Sequence, residues 1–176
     1  TVFADPTAAR TVLVLPSLSL DPQVMAKVSG VAHYEERMLC LLMLLRMPRT
    51  RVIYVSSTPI SSTIIDYYLH LLPGVPSEHA RRRLTLLSCD DNQFAPLTQK
   101  VLERPRLLER LKEAIGDPTT AHMTCFTVSE LERRLALTLG IPIYGCDPAL
   151  LHWCSKSRSR KIFREARIYF PAGFED

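Results

Sequence analysis

At 176 residues the chain has room for one domain with a sizeable core and not for two ordinary ones. A composition of 47% hydrophobic and 23% charged residues excludes a disordered or fibrous protein. The net charge is only +4, so basic residues matter through clustering.

Residues 1–10 show no periodicity and are expected to form a loose lead-in. The apolar run 11–15 predicts a buried strand ended by Pro16. No glycine follows it until Gly30, so the glycine-rich turn of a dinucleotide site, which lets backbone approach a pyrophosphate, is not expected. Residues 34–46 predict an α-helix with acids in its first turn and Pro48 beyond its end. Its apolar centre, 39–45, is bracketed by Arg37 and Arg46 and is far shorter than a membrane span.

A second strand is expected over 51–56, and a helix over 61–72 with Ile65, Leu69 and Leu72 on one side and Pro73-Gly74 at its end. A third strand over 83–88 precedes a helix that Thr98 is expected to cap and that Pro105 restarts. The fourth strand is expected over 121–126. Ser129 and Glu132 then have capping-box spacing for a helix over 130–139, and a short fifth strand covers 141–144. Five apolar strands alternating with helices predict an α/β fold with a doubly wound, mostly parallel five-stranded sheet and helices on both faces.

In such a sheet, ligands sit beyond the carboxyl ends of the strands, near the point where strand order reverses. The exit loops there carry hydroxyls and acids: Ser17, Ser19, Ser57, Asp90, Thr127, Ser129 and Asp147. Ser, Thr and Asp at these places also cap helices and form turns. His33-Tyr-Glu-Glu-Arg37 offers two carboxylates and an imidazole for acid and base work, although complementing the helix dipole explains the acids without chemistry. Arg81-Arg-Arg83 lacks the interleaved aromatics of a nucleic-acid site and reads as a solvated edge. The five cysteines are odd in number and scattered, without a Cys-x-x-Cys pair. They suit buried thiols in a reducing cytoplasm, and no metal site is expected. No catalytic residue is assigned, because neither a nucleophile elbow nor a phosphate loop is present.

The strongest chemical signal lies near the C-terminus. Gly145-Cys-Asp-Pro148 leaves the last strand, and Lys156, Arg158, Arg160 and Lys161 crowd the start of a helix expected over 155–167, where the macrodipole disfavours cations. An anion at that helix start relieves the conflict.

This region, with Ser155-Lys156 and Pro171-Ala-Gly173, resembles the ATP-grasp ligases, whose first part is a Rossmann-like pre-ATP-grasp domain. Where many of these enzymes have Gly-Val/Ile-Pro-x-Pro, this chain has Arg167-Ile-Tyr-Phe-Pro171, so Arg167 stands at the glycine. Upstream, Val14 to Asp21, His33 to Arg37, Asp66 to Gly74 and Leu102 to Arg106 are similar to bacterial carboxylate-amine or peptide ligases.

The resemblance implies a pre-ATP-grasp domain over 11–153 and the start of the ATP-grasp domain over 154–176. Lys156 would contact nucleotide phosphate, and Ser155, Arg158, Arg160, Ser17, Ser57, Asp90 and Asp147 would contact phosphate or substrate. It implies ATP and Mg2+, with a carboxylate and an amine, as cofactors and substrates of a cytoplasmic full-length parent, none of the cofactors being held by these residues alone. A homo-oligomer is compatible with it; membrane and nucleic acid are not expected as partners. The competing expectation is a non-catalytic binding or scaffold domain whose basic tail docks an acidic partner or nucleic acid.

Overall fold

The structure, a computed structural model, describes residues 5, 7–19, 23 and 26–174, without the side chains of Val31, Ala32, Cys154 and Lys156. Half of the expected lead-in, residues 1–4 and 6, lies outside the described residues. The chain divides into two compact units, Thr1–Gly145 and Cys146–Asp176.

In the first unit, five strands form one all-parallel sheet: β1 Arg10–Leu15, β2 Thr50–Ser56, β3 Leu84–Ser88, β4 Ala121–Cys125 and β5 Ile143–Tyr144, in the order β3-β2-β1-β4-β5. This is the doubly wound α/β sheet that the alternation of apolar runs and helices predicts. Because both faces are covered, the central strands carry apolar residues on both faces, and β1 is buried at every position.

One face packs Leu13, Leu15, Ile53, Val55 and Met123 against α-helices Leu97–Leu102, Pro105–Ile115 and Glu130–Leu139. The other packs Val12, Val14, Val52 and Tyr54 against a 3-10 helix, Val31–Arg46, and the α-helices Ser62–His70 and Ser77–Arg81.

The 3-10 helix corrects the expected α-helix over 34–46. Residues 38–45 are apolar at nearly every position, so no 3.6-residue pattern selects the α phase. Leu39, Leu42 and Leu45 are completely buried at a spacing of three, which is the repeat of a 3-10 turn. Starting at Val31 also moves the acids out of the first turn, so Glu35 does not complement a helix dipole. The end of this helix is held by Arg83, whose guanidinium donates to the carbonyls of Leu45 at 2.6 Å, Met47 at 2.7 Å and Thr50 at 2.9 Å. Arg83 is therefore a structural clamp rather than part of a solvated edge, and Arg81 pairs with Asp66 at 3.0 Å.

Thr98 lies inside its helix, whose N-cap is Pro96, so its expected capping role is also overturned. The Ser129 and Glu132 capping box is present as its spacing predicts.

In the second unit a short 3-10 helix, Pro148–Cys154, leads into the α-helix Lys156–Glu165. Beyond it Arg167 has φ 55, a left-handed conformation that favours glycine. A residue other than glycine thus holds a left-handed backbone at this position.

Candidate functional site

The chain builds outward from β1 to β2 and β3, then crosses to β4 on the other side of β1, so strand order reverses between β1 and β4. That reversal is the ordinary place for a ligand. In this protein a side chain fills it. Glu132, with no exposed surface, directs its carboxylate at the loops leaving both strands. Its Oε1 accepts from Ser19 Oγ at 2.6 Å and from the Thr98 hydroxyl; its Oε2 accepts from the Ser129 backbone N–H at 2.8 Å and from the Ser129 hydroxyl. Burial pushes the Glu132 pKa upward, but the bonds from Ser129, Ser19 and Thr98 outweigh it and hold the carboxyl below its usual range. Ser19 gives its only proton to Glu132, so Ser17, itself fully buried, donates to Ser19 at 2.9 Å. The Ser17 backbone ties the two loops together by accepting from Thr127 N–H at 3.2 Å.

The open site lies one strand over, beyond β2. A cavity of about 450 Å3 is lined by Glu35, Ser57, Lys100, His33, Asn92 and Phe94, among others. Each wall has a local cause. Glu35 is presented by the 3-10 helix on one face of the sheet, anchored where the fully buried Tyr54 donates its hydroxyl to the Glu35 carbonyl at 2.5 Å. Lys100 comes from helix Leu97–Leu102 on the other face. Ser57 is the first residue past β2, and the parallel ladder continues beyond the strand ends through Cys89 N–H to Ser56 and Asp91 N–H to Ser57.

The polar centre is a relay of three groups. The Ser57 backbone N–H and hydroxyl donate to the two Glu35 carboxylate oxygens at 2.5 and 2.6 Å. Lys100 Nζ donates to Ser57 Oγ and to the Asp91 carbonyl, each at 3.0 Å. Lys100 is only 3% exposed, so its ammonium is effectively inside the protein. Asp91 accepts from Gln93 N–H and from Arg104 at 2.6 Å, and these bonds hold it below the usual carboxylate range. Glu35 moves the other way: burial raises its pKa, and the two bonds from Ser57 only partly offset it.

The other expected contacts are dispersed. Asp90, exposed and with φ 52, borders a separate hollow with Ser56, Ser88 and Arg110. In the second unit, Asp147 accepts from Ala149 N–H at 2.9 Å and Ser155 from Arg158 N–H at 3.2 Å, so both act as helix caps. The Arg158 guanidinium lies 5.8 Å from the Trp153 ring, and that of Arg160 lies 4.8 Å from Phe170 and donates to the carbonyls of Pro171 and Gly173. The Lys156 side chain lies outside the described residues. Burial pushes the thiols of Cys89 and Cys125 up to about 11 and about 12, which makes both poor nucleophiles, while Cys40 and Cys146 are exposed. Among the described residues no group of His, Cys, Asp and Glu is arranged to hold a metal ion, and no helix is long and apolar enough to cross a membrane.

Lys100 was the residue that sequence reasoning missed. Its signal is a lysine three positions from Leu97 and beside Val101, on the buried stripe of its helix.

The model of the Pre ATP-grasp domain family matches residues 53–141, from within β2 to the approach to β5. The chain belongs to this family. The pre-ATP-grasp sheet is accompanied by wider similarity to two curated proteins. Over 97% of its length the chain is 29% identical to an L-propargylglycine--L-glutamate ligase of Streptantibioticus cattleyicolor, of which it covers 36%. Over 95% of its length it is 26% identical to an IQ motif-containing protein H of Danio rerio, of which it covers 17%. The chain thus spans about a third and about a sixth of these relatives. No solved structure matches it.

Proposed function

We propose that the chain is the N-terminal, pre-ATP-grasp part of an ATP-dependent ligase that joins a carboxylate to an amine through an acyl phosphate. The observation that carries this reading is the similarity of 97% of the chain to a protein named as a ligase of two amino acids. On this reading residues 11–153 are the pre-ATP-grasp domain and 154–176 begin the nucleotide-binding part, in a cytoplasmic bacterial enzyme. ATP and Mg2+ serve the parent. The described residues do not fit that pair, since no carboxylate cluster suits Mg2+ and no glycine-rich loop follows a strand. The chain's own part is therefore to shape the substrate side of the cleft, with the loops past β2 and β3.

Lys156 supplies a cation toward nucleotide phosphate, and the Ser155 cap sets the direction of the helix that carries it. The test uses the full-length protein. ADP and phosphate should form in step with amide, and only when both a carboxylate and an amine are supplied. Lys156→Ala should raise the apparent KM for ATP about tenfold, the loss expected for one charge-assisted phosphate contact. ADP release indifferent to both substrates would sink the ligase reading, whereas an unchanged KM would remove only Lys156.

The similarity to a protein whose name is not that of a ligase keeps a second reading, a non-catalytic binding domain. Its basic tail is a weaker basis for docking than the bare sequence suggests, because Trp153 and Phe170 already carry guanidinium groups of the chain itself. Steeply salt-dependent binding of duplex DNA or RNA would favour it.

A further inference from the structure

We propose that the cavity past β2 binds a free α-amino acid as its zwitterion, with the α-ammonium on Glu35 and the α-carboxylate on Lys100. This names a substrate class for the ligase reading and rests on that reading for what becomes of the bound amino acid, while the binding itself is argued from the cavity alone.

The two charged groups of the cavity are joined only through a hydroxyl. Ser57 Oγ sits 2.6 Å from a Glu35 oxygen and 3.0 Å from Lys100 Nζ, so the pair does not close into a direct salt bridge. Each therefore keeps unused capacity. An ammonium has three donors, and Lys100 engages two of them with Ser57 Oγ and the Asp91 carbonyl. Each carboxylate oxygen has two acceptor sites, and each Glu35 oxygen receives a single bond from Ser57.

The balance of charge selects the ligand. The neighbouring acid, Asp91, is already matched by Arg104, and His33 on the same wall is paired with Glu36 at 3.2 Å, which leaves Glu35 and Lys100 as the one negative and one positive group to be matched. A ligand with a single charge would satisfy one of them and add an unbalanced charge beside the other, which is costly out of water. A zwitterion adds none. Two wall charges separated by one oxygen match a ligand whose ammonium and carboxylate are borne on one carbon. Burial already presses the Glu35 carboxylate toward protonation, and an arriving ammonium relieves that pressure.

The remaining wall suits an amino-acid side chain. Val28, Ala95 and Phe94 supply apolar surface, and Phe94 is 62% exposed. The volume of about 450 Å3 is within the range of small-molecule sites.

The 176-residue chain, without ATP, should be titrated by NMR with L-norvaline and L-glutamate, and with the two analogues of norvaline that lack one charge, pentanoate and butylamine. At least one of the amino acids should give saturable shifts at the amides of Phe94, Ala95 and Ser57, and each analogue should bind about tenfold more weakly than norvaline or not at all. Glu35→Gln should make norvaline no better than pentanoate, and Lys100→Met should make it no better than butylamine. If Lys100→Met does not fold, the analogue series and Glu35→Gln decide the matter on a folded protein.

Absence of saturable shifts with both amino acids, or pentanoate binding as tightly as norvaline, overturns the proposal. A full-length protein that couples ATP to amide formation while this chain fails the titration would refute the pocket assignment and leave the ligase reading standing. The converse result would refute the ligase reading alone.

Discussion

Two glutamates stand at the carboxyl edge of the same sheet with opposite fates. Glu132, between the loops of β1 and β4, accepts four hydrogen bonds from three residues and is held ionised although it is completely buried. Glu35, beyond β2, accepts two bonds from a single residue, and its burial is only partly offset. The difference teaches that depth alone does not make a carboxylate reactive or available. The number of donors aimed at it does, since each bond to the charged form repays part of its lost hydration. The reversal point of the sheet is closed by a satisfied group, and the neighbouring cavity is left with one that still gains from a partner.

The largest effect should come from breaking the satisfied site. Glu132→Ala strands the buried Thr98 hydroxyl and the half-buried donors of Ser19 and Ser129, and should destabilise the protein by about 3 kcal/mol in urea unfolding. Glu35→Ala, which frees Ser57 and takes the balancing charge from Lys100 at the wall of an open cavity where water can replace the carboxylate, should cost about 1 kcal/mol. Equal losses for the two variants would erase the distinction between a structural and an available carboxylate.

How much of this was legible in the sequence follows from how local each cause is. The strands could be read because a strand covered on both faces carries a continuous apolar run, and residues 12–15 and 52–55 are such runs. The Ser129 and Glu132 box could be read because its donor and acceptor are three residues apart. Its extension to Ser19 and Thr98 could not, since those partners are 113 and 34 residues distant and meet only through the strand order. The 3-10 helix was hidden for the opposite reason: a segment apolar at nearly every position carries no phase, and only packing against β1 and β2 sets its repeat. The role of Lys100 could not be read, because a single lysine in a helix does not reveal its burial until the packing of that helix face is known. The basic segment that dominates the sequence proves to place Arg158 and Arg160 against its own aromatic rings.

A smaller change sharpens the comparison from within the cavity. Ser57→Ala leaves the backbone N–H on Glu35 but removes the hydroxyl that links the carboxylate to the ammonium. A loss of about 1.5 kcal/mol is expected, between those of the two glutamate variants, because a hydrogen bond to each of two charged groups goes at once. The Glu35 carboxyl should titrate still higher in this variant, followed through its side-chain carbon resonance by NMR. A Glu35 resonance that does not move would mean that the hydroxyl plays no part in setting its charge.

The smallest effect is the most specific, because the two glutamates must bend the stability curve in opposite directions. Glu132 has a lowered pKa in the folded protein. The unfolded chain binds the extra proton between that value and the usual 4.5, so the contribution of Glu132 to stability is complete above 4.5 and is lost as pH falls through its folded value. Glu35 has a raised pKa. The folded protein binds the extra proton above 4.5, so its contribution is complete below 4.5 and is lost as pH rises through its folded value. Subtracting the stability of Glu35→Gln from that of the parent should therefore give a curve that falls with rising pH. The same subtraction with Glu132→Gln should give one that rises, over a window beginning lower. Curves of the same sign would show that the donors around the two carboxylates do not set their charge. An L-norvaline-saturated sample should flatten the Glu35 curve and leave the Glu132 curve untouched, since only the cavity past β2 offers its carboxylate a new cation.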